Sequence, residues 1–132
     1  MRNRSLWLAC LLSVVGGLEV AVGLGLLSDP DAVTSLLVHS SLNPAGVVVG
    51  RIAGAALLSL GIACLFARKT PLTPASLGVG WGLLTYNVGA CLTLASVASQ
   101  GVMALVGSIA HGLISAALLI ALLVRNEPGT QH

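Results

Sequence analysis

The sequence predicts an all-α membrane protein. The expected architecture is a four-transmembrane-helix bundle with both termini cytoplasmic and a short interfacial helix between spans 1 and 2. Three observations carry that prediction. Of 132 residues, 56% are hydrophobic and only 8% charged, against about 25% charged in soluble domains. The apolar residues fall in four long runs. Lys and Arg gather at alternate ends of those runs. The same composition excludes a disordered chain, and a net charge of +2 is too small to point to a nucleic-acid partner.

The spans cover about residues 6–27, 45–67, 75–98 and 102–124, within one domain over residues 1–132. Each matches the ~20 residues that a hydrocarbon core about 30 Å thick demands. Backbone groups cannot stay unpaired in lipid, so the runs must be helices; the alternation of a barrel strand is absent. Arg2 and Arg4 precede the first span, Arg68 and Lys69 join the second to the third, and Arg125 follows the fourth. The opposite loops, residues 28–44 and 99–101, hold neither Lys nor Arg. The positive-inside rule therefore puts both termini in the cytoplasm. Met1–Arg4 followed by residues 6–17 also has the pattern of a signal peptide. The apolar run continues to Leu27, however, which favours a retained first helix. Residues 126–132 read as a disordered cytoplasmic tail.

In the loop 28–44, Asp29 is placed to cap a short helix, Pro30 suits its first turn and Pro44 would stop it. Val33, Leu36 and Leu37 then share one face, as an interfacial helix requires. His39 reads as a solvated or interfacial histidine. Gly46, Gly50 and Gly54 recur every four residues in the second span, as do Gly78 and Gly82 in the third. This spacing favours close packing inside the bundle, with an oligomer interface as the alternative.

Charges inside a span cost about 2.5–3.5 kcal/mol each on insertion scales and are functional suspects. Glu19 and Arg51 are the two here. Counted from the outer ends of their helices, they lie about 12 and 9 Å deep, which predicts an ion pair. Asn87 at about 16 Å and His111 at about 14 Å complete one polar layer. Ser108 and Ser115 flank His111 at helical spacing, and Cys91 follows Asn87 by one turn. Tyr86 is turned about 100° from Asn87, toward the rim or another face.

The ligand-binding candidates are therefore Glu19, Arg51, Asn87, His111, Tyr86 and Cys91. The leading reading is a cavity for a small polar or amphipathic molecule, quinone- or isoprenoid-like, with Arg51 anchoring an anion or carbonyl. One alternative is a closed polar network that only assembles the bundle, suiting a structural accessory subunit of a larger membrane complex. Another is a small membrane enzyme or proton-coupled transporter using Glu19 or His111. No nucleophile or cofactor loop accompanies these residues, so no catalytic residue or cofactor is assigned. His111, Cys91 and Glu19 could reach one metal, but no ligand spacing supports it, and Cys10, Cys64 and Cys91 form no Cys-x-x-Cys pair. The expected partners are the bilayer, a lipid-soluble small molecule, and a second copy or a larger complex.

Leu18-Glu19 with Gly23, the run from Arg51-Ile52-Ala53-Gly54 to Leu58 and on through Gly61 to Cys64, Tyr86-Asn87, and His111 carry a resemblance. Together they resemble small uncharacterised four-span bacterial membrane proteins, similar in architecture to the DoxX-like class. That group often places Trp-Pro before the histidine of its fourth helix, where this chain has Ser108-Ile109-Ala110. The resemblance implies a four-helix bundle with a shared polar layer and supplies no substrate.

Overall fold

The computed structural model describes residues 2–123. The end of the fourth span at Val124, Arg125 and the tail 126–132 lie outside the described residues. Five α-helices follow one another: α1 (Arg2–Ser28), α2 (Pro30–Val38), α3 (Pro44–Ala67), α4 (Pro74–Ser96) and α5 (Val102–Leu123). A single 3-10 turn, Ala98–Gln100, joins the last two. Helices α1, α3, α4 and α5 are long and apolar enough to cross a membrane.

The helix starts follow directly from the sequence. Asp29, Asn43 and Thr73 each accept a hydrogen bond from the backbone N–H three residues on, and a proline occupies the next position. Side-chain oxygens thus satisfy orphan donors while proline supplies a preset φ. Pro44 was expected to stop the short helix; instead it begins α3. α2 has already ended at His39, which adopts a left-handed conformation with φ 53°. Arg4 closes the far end of α5, its Nε and Nη2 donating to the carbonyls of Ala121 and Leu122 at 3.1 and 2.8 Å.

α1 packs chiefly on α3, and α4 on α5. Glycine lets α1 and α3 approach backbone to backbone. A Cβ on Gly23 would lie 2.6 Å from the Leu58 nitrogen, and one on Gly61 would lie 2.7 Å from the Gly16 carbonyl oxygen. Such approach maximises dispersion contact where lipid removes the hydrophobic drive. Of the glycines expected to pack, Gly54 does so against Gly23, and Gly50 meets Pro30 of α2. Gly46 meets only Leu42 and Asn43 just ahead of it, and a Cβ on Gly78 or Gly82 would find open space. Their four-residue spacing is therefore not used for packing within this chain.

The two helix pairs are joined at the end where residues 68–73 link α3 to α4, the linker end. There Leu8, Leu12, Val15, Cys64, Leu83 and Leu118 form a buried core. At the opposite end, α2 lies against α1, α3 and α5. Large apolar side chains cover the exterior, among them Trp7, Ile52, Phe66, Leu113 and Ile120. Such a surface suits lipid and would be an aggregation liability in water.

Candidate functional site

The polar residues of the spans do not all meet. Glu19 on α1 is only 4% exposed and points between α1, α4 and α5. The Tyr86 hydroxyl of α4 stands opposite its carboxylate, placed to donate to it. The Tyr86 ring meets His111 of α5 edge-on, with centroids 5.8 Å apart and an interplanar angle of 87°. Asn87 lies fully buried behind the histidine, its Oδ1 2.7 Å from His111 Nδ1. Tyr86 and Asn87 both reach His111, although they point about 100° apart, because the α5 ring lies between their two directions.

Asn87 also determines the histidine's tautomer. Its Nδ2 donates to the Leu83 carbonyl at 2.8 Å, so Oδ1 is the atom facing the ring. A carbonyl oxygen only accepts, so His111 Nδ1 carries the hydrogen and donates. In the neutral ring Nε2 is then an acceptor. No buried side-chain nitrogen or oxygen lacks a partner among the described residues. Glu19 and His111 both border a chamber of about 170 Å³. Val15, Leu18, Val22 and Ile114 supply its apolar walls.

A far larger apolar cleft of about 1110 Å³ adjoins the chamber and shares Leu18, Val22, Tyr86 and His111 with it. Ligand pockets commonly span about 300–1,000 Å³, so the cleft has ample room for a lipid-sized molecule. α2 turns Val33, Leu36 and Leu37 toward this space, the face expected from their spacing. Across from them lie Gly89, Ala90, Thr93 and Gly107 of α4 and α5, residues too small to fill it. Gly101 lets the end of α2 settle there, since a Cβ would lie 2.6 Å from the Leu37 carbonyl oxygen.

Arg51 stands outside the site. It lies on the exposed side of α3, and the expected ion pair with Glu19 does not form. The reason is register. Gly16 faces Gly61 and Gly23 faces Gly54, so Arg51 is level with Leu26, about 10 Å along the helix from Glu19. The first turns of α3 rise beside α2, past the end of α1; counting depth from the start of α3 therefore placed Arg51 too deep. Cys91 is also apart, in the α4–α5 seam, where the Ser108 hydroxyl donates to its carbonyl at 3.0 Å. Ser115 donates to the His111 carbonyl within its own helix. His39 is exposed at the end of α2. No metal-ligand cluster of three or more His, Cys, Asp or Glu occurs among the described residues.

Tyr86 was the hardest of these residues to place from sequence, and its one-residue offset from Asn87 was the available signal. Val106, Gly107 and Ala90, which shape the cleft, carry no sequence signal beyond being small or apolar. Comparison with protein-family models, curated proteins and solved structures finds no match, and the DoxX-like resemblance has no further support from them.

Proposed function

We propose that the chain binds a small amphipathic molecule from within the membrane, polar head in the chamber and apolar body in the cleft. One observation carries this reading: the chamber bordered by Glu19, Tyr86 and His111 adjoins an apolar cleft and shares four wall residues with it. A network serving assembly alone would close its polar atoms on one another. Here Glu19 and His111 both border a cavity. The size of the cleft suits a body of the isoprenoid kind. Arg4, Arg68 and Lys69 at the linker end orient that end to the cytoplasm by the positive-inside rule. The cleft then lies in the outer half of the bilayer, with α2 at its surface.

Radiolabelled farnesol, an isoprenoid alcohol, tests the reading by equilibrium dialysis into lipid nanodiscs. Nanodiscs carrying the wild-type protein are expected to retain more farnesol than empty ones. Gly89→Trp is expected to remove the excess, because its side chain starts in open space at the cleft wall and fills it. Equal retention by wild-type and empty nanodiscs would overturn the reading.

A further inference from the structure

Resting on the amphipathic-ligand reading, we propose that the occupant is a lipophilic amine, held as its ammonium between Glu19 and His111. The argument is the hydrogen-bond sign of the chamber. Glu19 offers carboxylate oxygens. His111 offers the Nε2 lone pair, because Asn87 Oδ1 has already taken its Nδ1–H. The Tyr86 hydroxyl is the one donor at the chamber, and it is directed at Glu19. The site is therefore rich in acceptors and poor in free donors. A ketone, carboxylate or phosphate head would set lone pairs against lone pairs. An ammonium brings three N–H donors and satisfies both acceptors.

Charge points the same way. Among the described residues, no Lys or Arg borders the chamber or the cleft. Arg51, the one basic residue within an apolar run, is on another face and about 10 Å away along the helix. Charged groups inside a membrane normally pair with one another. The carboxylate has no protein cation to pair with, so the complementary charge is left for the ligand to bring. Tyr86, beside both residues, adds an aromatic ring of the kind that attracts cations. The apolar cleft then takes the hydrophobic body, as it would for any amphipathic molecule. What distinguishes the amine is the chamber alone.

The test uses one apolar body with four heads: farnesylamine, farnesol, farnesal and farnesoic acid, each dialysed into nanodiscs with and without the full-length protein. Farnesylamine is expected to bind at least about tenfold more tightly than the other three, as charge-assisted hydrogen bonds are roughly twice as strong as neutral ones. Glu19→Gln, nearly isosteric, is expected to abolish the preference, so that the variant binds farnesylamine no more tightly than it binds farnesol. Arg51→Gln is expected to change none of the four. If the alcohol, aldehyde or acid binds as tightly as the amine, or if Glu19→Gln keeps the preference, the inference is overturned while ligand binding itself stands. If none of the four exceeds empty nanodiscs, the binding reading falls as well.

Discussion

At the linker end Leu8, Leu12, Leu83 and Leu118 are fully enclosed, whereas at the α2 end Leu94, Met103 and Val106 border a cleft of about 1110 Å³. The same four long helices supply both ends. The difference lies in side-chain size at the positions facing across the bundle. In its first half α4 presents Leu83 and Leu84 to the core; over the two to three turns that follow it presents Thr85, Gly89, Ala90 and Thr93 to the cleft. The α1–α3 seam is drawn close at two levels two turns apart, Gly16 against Gly61 and Gly23 against Gly54. Small residues therefore act in two opposite ways. Where both backbones can close on each other, glycine brings helices together; where a third element holds them apart, it leaves space.

That contrast can be broken at the seam first. Gly23→Leu should cost at least about 3 kcal/mol, the upper part of the overpacking range, because its Cβ meets backbone of Leu58 and Gly54 rather than a movable side chain. Gly78→Leu, starting in open space, should stay within about 0.5 kcal/mol. Reversible unfolding in mixed micelles compares the two. Equal losses would mean that the seam is not what holds α1 to α3.

A second comparison sets the closed end against the open one. Leu12→Ala in the core should cost about 2–3 kcal/mol, near the low end for buried leucines. Val106→Ala on the cleft wall, half exposed, should cost less than about 0.5 kcal/mol. If Val106→Ala proves as damaging as Leu12→Ala, the cleft is packed in the membrane and the contrast fails.

The smallest effect on stability, and the sharpest on the site, is expected from Asn87→Leu. Interhelical polar contacts in membranes average about 0.6 kcal/mol, so the fold should survive. The histidine should not keep its single tautomer, since Nδ1 loses the acceptor that holds its hydrogen. Nitrogen-15 NMR of labelled His111 should report the Nδ1–H form in the wild type and a mixture in the variant. An unchanged spectrum would show that another group orients the ring.

The spans, the Asp29 cap of α2 and its apolar face were legible in the sequence, whereas the Asn43 and Thr73 caps of α3 and α4 were not picked out. Each legible feature depends on local signals: apolar runs, a side-chain oxygen before a proline, and the 3.6-residue period. Glu19, Asn87 and His111 were legible as one layer because each sits well inside its own helix, where counting residues measures depth adequately. Arg51 was misplaced because its depth depends on where α3 begins relative to α1, a quantity set by the overhang beside α2. Cys91 has suitable depth but points into the α4–α5 seam, and depth alone does not give direction.

By itself the sequence determined an all-helical chain with four membrane-length helices, and it singled out the few polar residues those helices carry. Tertiary structure decided which of them meet. It set the carboxylate of Glu19 against Tyr86, used Asn87 to orient His111, and left Arg51 outside. It also opened the cleft beside them. The physical reason is the range of the interactions. Hydrogen bonds within a helix and its caps close over a few residues, so local composition dictates them. Register and splay arise where glycine on one helix meets backbone on another, and that meeting is specified only when both helices are in place.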